Sequence, residues 1–293
     1  MKIFIAPILL KKAASIKFPL FIDKDVLIRD FPIEEREKFF GVEELEIKGA
    51  GATHKPALGR DIFREAFVVG YDYFSLLRAE NCIEIKGSDE ESPHILQEKM
   101  EFMNRALKIL KSGSAGVLIG KFFGERSGDF PAGATTSSGI NPLYGGSYIL
   151  KKYDILELKS IYHIISKRKD EKTTMLLEKF ILAVSKNLRK HMRALEFFSI
   201  LEALYLPGTE YGELRFKLSH RIAKMMFSKA KRYENYKEVK GLYDKRCILV
   251  HQSKDVFTDE ELQKLEDLTR GSLKLFLNYP EFFVTDYLEK LFF

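Results

Sequence analysis

The chain has 293 residues, 45% of them hydrophobic and 31% charged, with a net charge of +6. That composition excludes a disordered or fibrous chain and allows one large domain or two ordinary ones. No apolar run approaches the ~18 residues of a membrane-spanning helix, so no membrane partner is expected. Two cysteines 165 positions apart form neither a metal spacing nor a disulfide framework, which points to a reducing, cytoplasmic setting.

The opening MKIFIAPILLKKAA is broken by Pro7 and ends in Lys11-Lys12 without a small-residue cleavage site. It reads as a first β-strand rather than a secretion signal. Stretches rich in Ile, Val, Phe and Tyr predict strands at Lys2–Leu10, Leu20–Arg29, Leu45–Lys48, Phe67–Leu77, Cys82–Lys86 and Ala115–Phe123. Glu34–Phe40 predicts a short helix. Ser92 as cap, Pro93 at the first position and Leu96, Met100, Met103, Leu107 and Leu110 at helical spacing predict a long one, closed by Gly113. A Gly-rich segment follows at 126–148, of a length that is often functional. Before it, GVLIGKF (116–122) only partly matches a phosphate-binding loop: its glycines are too close, and Phe122 replaces the Ser or Thr that holds Mg²⁺.

From Lys151 the texture becomes helical throughout. Ile155–Arg168 predicts one helix. Glu171–Leu206 predicts a second, very long one, on a stripe from Leu177 to Tyr205 that Pro207-Gly208 stops. Thr209 caps a third helix, through Met226. A fourth runs from Glu234 to Val250. A fifth starts after Thr258, where Asp259, Glu260 and Glu261 suit the helix dipole. The aromatic segment Phe282–Phe293 is expected to dock on this bundle. The fold class is therefore α+β: a strand-rich mixed α/β domain over 1–150 and an all-α bundle over 151–293.

Charge and imidazole placement give the functional signal. Between Arg215 and Arg246 eleven Lys or Arg stand against three acids, +8 in 32 residues. Such a local surplus suits an anion, with RNA, DNA and a nucleotide all open. The pattern Arg-x4-His occurs at Arg215/His220 and at Arg246/His251. His220 falls away from the buried stripe of its helix and reads as a surface or interface residue. His251 ends its helix, among carbonyls without intrahelical partners, where an imidazole can exchange protons. Five residues on a helix amount to roughly 140° of net rotation, so Arg246 and His251 point apart within one protomer. A second copy facing it across a twofold axis would gather two Arg and two His in one basic cleft. Arg can fork onto a phosphodiester, and His can take a ribose 2′-OH proton or return one to the leaving 5′-oxygen. No residue cluster calls for a metal or other cofactor.

The order of blocks FFSILEALYLP (197–207), TEYGELRFKLSHRIAKMM (209–226) and LYDKRCILVHQ (242–252) resembles the Apea-like group of HEPN domains over residues 155–280. The shared blocks fall on Glu202-Ala203-Leu204, Glu213, Arg215-Phe216, Arg221-Ile222-Ala223, Tyr243-Asp244, Arg246 and Val250-His251. The resemblance implies an α-helical bundle that dimerises through its motif face. It also implies metal-independent RNA cleavage leaving a 2′,3′-cyclic phosphate and a 5′-hydroxyl. Toxin or anti-phage systems, with an antitoxin or defence partner, are the implied setting. Arg246 and His251 inherit the catalytic roles, with Tyr243, Asp244, Glu213 and Arg221 as supporting candidates. Glu213, Arg215 and Arg221 read more readily as an ion-pair network. Arg215, Lys217, Lys224, Lys231, Arg232 and Lys245 are the RNA-binding candidates. Two other readings stay open: a non-catalytic nucleic-acid-binding or scaffold protein, and a nucleotide sensor working through the 126–148 segment.

Overall fold

The computed structural model describes residues 2–40, 42–48, 51–56, 79–88, 90–113, 115, 119–124, 135–136, 148–184, 188–208 and 212–292. The expected strand at Phe67–Leu77 and nearly all of the Gly-rich segment 126–148 lie outside them. The chain divides into two compact units, Met1–Ser166 and Lys167–Phe293. That division falls one helix beyond the residue 150 boundary at which the sequence changes texture. Its architecture is α+β.

In the first unit, strands β1 (Lys2–Ile8), β3 (Leu20–Phe21), β4 (Val26–Asp30), β7 (Asn81–Gly87), β8 (Ile119–Gly124) and β9 (Thr135–Thr136) form an antiparallel sheet in the order β3-β4-β7-β1-β8-β9. β2 (Lys11–Lys12) pairs in parallel with β10 (Ile149–Leu150), and β5 (Val42–Lys48) pairs with β6 (Gly51–Pro56). The single strand expected at Leu20–Arg29 is a hairpin, with Leu20 opposite Ile28. The charged run Asp23-Lys24-Asp25 makes the turn, where Ile22 N–H donates to the Val26 carbonyl at 2.8 Å. β7 is buried along nearly its whole length, as a central strand requires. Helix α1 (Ile33–Phe40) buries Phe39 and Phe40.

Helix α2 (Pro93–Leu110) packs on β7 through Leu96, Met100, Met103 and Leu107, all fully buried. Ser92 Oγ accepts from His94 N–H at 3.2 Å, the cap its sequence announces. Gly120-Lys121 lies inside β8 and not at a strand-to-helix turn. A Cβ at Gly120 would stand 1.9 Å from the Phe4 ring, so this glycine permits close packing rather than cradling a phosphate. α3 (Asp154–Lys167) closes the first unit.

The second unit holds α4 (Glu171–Val184), α5 (Lys190–Tyr205), α6 (Leu214–Met226), α7 (Arg232–Gln252), α8 (Asp259–Asn278) and α9 (Thr285–Lys290), with short 3-10 turns at Lys229–Lys231 and Pro280–Phe283. The long helix expected over Glu171–Leu206 is two helices packed on each other. Arg189 has extended backbone, and the apolar stripe resumes beyond it on α5, whose Phe197 ring meets Phe180 of α4 at 6.1 Å. α5 is the hub, packing on α4, α6, α7 and α8. It is accordingly buried over most of its circumference. α8 begins at the capping box made by Thr258 and Glu261. Phe283 docks the C-terminal segment edge-on against Tyr205 and Phe276. Beneath the apolar layer, Glu266 accepts from Arg193 at 3.1 Å and from Arg270 at 2.5 Å, a buried pairing that joins α5 and α8. No helix among the described residues is long and apolar enough to cross a membrane.

Candidate functional site

α7 carries the candidate residues on two faces. It is an uninterrupted α-helix over 21 residues, so no kink relieves the roughly 140° between Arg246 and His251. The first face buries Val239, Leu242, Tyr243 and Leu249. Phe198 of α5 stands edge-on to the Tyr243 ring at 5.7 Å. Arg246 emerges at the margin of this layer, its guanidinium 5.5 Å from the Tyr243 ring centroid. Nη2 donates to Oε2 of Glu202 on α5 at 3.3 Å and lies 3.2 Å from Oε1. Arg246 Nε is buried without an acceptor among the described residues. The Tyr243 phenol is pushed up to about 12, chiefly by burial and then by the Glu202 carboxylate.

The second face carries Lys240, Asp244, Cys247 and His251 at successive turns. His251 is exposed in the last turn. The helix stops at Ser253, which adopts left-handed backbone with φ 52°. Asp244 stands two turns before His251 and accepts from Arg215 Nη1 of α6 at 2.5 Å. Paired there, it orients Arg215 and not the imidazole.

The remaining candidates divide by what their charges already meet. Lys245 donates to both Glu261 oxygens at 2.6 Å and to the Val256 carbonyl at 3.2 Å, tying the end of α7 to the start of α8. Arg232 donates to the Phe227 and Lys224 carbonyls at 3.3 Å, satisfying the C-terminus of α6. Lys224 donates to the Leu291 carbonyl, which His220 Nε2 also approaches at 3.1 Å. Arg221 is 1% exposed; it donates to the Tyr205 carbonyl at 2.7 Å and lies 5.2 Å from the Phe292 ring. Its place is interior, where a nucleic acid does not reach. Of the trio expected to form an ion-pair network, Arg215 is taken by Asp244, and Glu213 stands exposed at the N-cap of α6 with φ 52°. Lys217 is half-buried on α6, and Lys231 is exposed in the turn before α7.

Sequence reasoning assigned no role at the site to Glu202. An acid within the otherwise apolar run FFSILEALY was the available signal, because a charge on a buried face needs a partner. It also passed over Tyr233, Tyr236, Lys237 and Lys240, whose interleaving of rings and cations is equally legible. Among the described residues no group of three or more His, Cys, Asp or Glu comes together as a metal site would require. Comparison of the chain with known protein families, with curated proteins and with solved structures finds no match.

Proposed function

We propose that the chain is a homodimeric endoribonuclease of the HEPN type that cleaves RNA without a metal ion, in a toxin or anti-phage setting. The 2′-oxygen attacks phosphorus, the bond from phosphorus to the 5′-oxygen breaks, and a cyclic phosphate and a 5′-hydroxyl result. His251 takes the proton from the 2′-OH or supplies one to the leaving oxygen. Arg246 carries the guanidinium that meets the charge accumulating on the phosphoryl oxygens. Glu202 and Tyr243 position that guanidinium.

The observation that carries this reading is the exposed His251 in the final turn of an unbroken helix, with Arg246 held on its other face. An imidazole open to solvent can meet a strand or a second protomer. The ordered sequence blocks around Glu202, Arg215 and Arg246-x4-His251 supply the rest of the support.

A second reading, a non-catalytic RNA-binding or scaffold protein, is favoured by one contact. The Glu202 carboxylate already neutralises Arg246 within the protomer. Labelled RNA incubated with the purified chain in EDTA separates the two. Cleavage to cyclic-phosphate ends, lost in Arg246→Ala and in His251→Ala, supports the nuclease. Salt-sensitive binding without any cut product supports the binder.

A further inference from the structure

The basic segment does not present all of its cations to solvent. Several of those cations close contacts inside the bundle, as described above. Beyond Lys231, an exposed Lys237 and a part-exposed Lys240 stand on the first half of α7, beside aromatic rings. Tyr233 is 69% exposed, and Lys237 Nζ lies 4.4 Å from its ring centroid. One turn on, Lys240 Nζ lies 5.8 Å from the Tyr236 ring. The Phe216 ring of α6, 42% exposed, meets Tyr236 edge-on at 6.2 Å.

Helical geometry makes these residues one track. Tyr233 and His251 are separated by about five full turns, so they share an azimuth roughly 27 Å apart along the axis. Lys237, Lys240, Asp244 and Cys247 fall within about 40° of that line, and Tyr236 within about 60°. The acids of the same segment lie elsewhere. Glu234 and Glu238 are turned away by about 100° and 140°, and Glu238 is paired with Lys264. The one acid on the track, Asp244, is neutralised by Arg215.

We infer that this face of α7 is the binding track for single-stranded RNA, which it delivers to His251. The inference rests on RNA being the substrate proposed above. Tyr233, and the part-exposed Tyr236 one turn on, offer rings on which bases stack, while Phe216, itself stacked on His220 and Phe292, backs Tyr236 from α6; Lys237 and Lys240 meet the phosphates between them. A duplex keeps its base faces internal and has no use for exposed rings, so the occupant is a single strand. An acidic protein segment would engage the lysines but gain little from the tyrosines.

The test uses the full-length His251→Ala chain, so that RNA survives, and the anisotropy of a labelled, unstructured oligoribonucleotide of about 12 nucleotides. Tyr233→Ala is expected to weaken binding about 5- to 150-fold, the range of one lost base stack, while Tyr233→Phe restores it. Lys237→Gln with Lys240→Gln is expected to flatten the salt dependence of log K by about 1.4. Binding unchanged in Tyr233→Ala overturns the track. So does displacement of the RNA by polyglutamate at equal charge, which would assign the face to an acidic protein. If the track fails while wild-type cleavage still requires Arg246, the nuclease stands without it. If RNA binds through Tyr233 and the wild type cuts nothing, the track stands and the nuclease fails.

Discussion

Glu202 and Arg246 meet between α5 and α7, 44 residues apart in sequence, with a guanidinium nitrogen 3.2 and 3.3 Å from the two carboxylate oxygens. Both side chains are about three-quarters covered. The pair therefore fixes where the guanidinium points and also spends part of its charge. Those two effects act on catalysis in opposite directions, and a variant can separate them.

Glu202→Gln removes the charge and keeps the shape. RNA binding is expected to tighten several-fold, because Arg246 is no longer neutralised. Cleavage is expected to fall at least about 10-fold, because the guanidinium loses the partner that holds it in line. Folding stability should drop by about 1 kcal/mol, as for a partly exposed ion pair. Binding measured by anisotropy and single-turnover cleavage on the same preparation give the split. A parallel fall in both would mean that Glu202 contributes to binding rather than to positioning.

The two thiols should differ sharply in reactivity. Cys82 is fully buried in β7, and burial pushes its thiol up to about 12. At pH 8 about one molecule in ten thousand then carries the reactive thiolate. Cys247 is part-exposed on the face that leads to His251. A disulfide-exchange reagent at pH 8 is expected to label one thiol rapidly and the second only after denaturation. Bound RNA should slow the first reaction, and a bulky adduct at Cys247 should lower RNA affinity. Equal labelling with and without RNA would separate this face from the binding site.

Much of the fold was legible, and the misreadings have physical causes. Ser92-Pro93 and Thr258 with Glu261 mark helix starts through contacts within four residues, which a sequence exposes directly. The break between α4 and α5 was hidden because both helices bury their stripes against each other, so the apolar period continues across the gap. The hairpin at Leu20–Asp30 read as one strand because its turn is charged and contains neither Gly nor Pro. For the candidate site, the sequence singles out Arg246, His251 and the basic segment. It could not show which cations would be consumed by distant partners. Lys245 by Glu261 and Lys224 by the Leu291 carbonyl are decided by packing, not spacing.

Alkaline pH should weaken the bundle through its buried phenols. An unfolded tyrosine titrates near 10, whereas Tyr243 is held up to about 12 and Tyr205 is raised further by complete burial. The native state thus keeps a proton that the unfolded state releases. The stability this represents is present in full below pH 10 and is lost as pH rises toward the native value, by about 1.4 kcal/mol per unit for each such group. Tyr243→Phe has no proton to lose. It should cost about 1 kcal/mol at pH 7, from the lost hydrogen bond of the Tyr243 hydroxyl to Glu202, and match or exceed the wild type near pH 11. Urea melts at pH 7, 9, 10 and 11 would show the crossing. Parallel curves for the two proteins would mean that Tyr243 titrates normally.

The angle between Arg246 and His251 makes the sharpest claim about assembly. On one unbroken helix they point about 140° apart, so the nuclease proposed above draws its arginine from one protomer and its histidine from the other. Mixing inactive Arg246→Ala with inactive His251→Ala then produces heterodimers with one intact pair and one doubly damaged pair. Random exchange puts about half of the dimers in this class, each with one of its two pairs intact, so about a quarter of wild-type cleavage should return. Recovery should require time for subunit exchange and vanish when each variant is crosslinked before mixing. If each protomer instead works alone, every site carries one lesion and mixing restores nothing. The rate of cleavage after mixing therefore decides between a shared cleft and two independent helix ends.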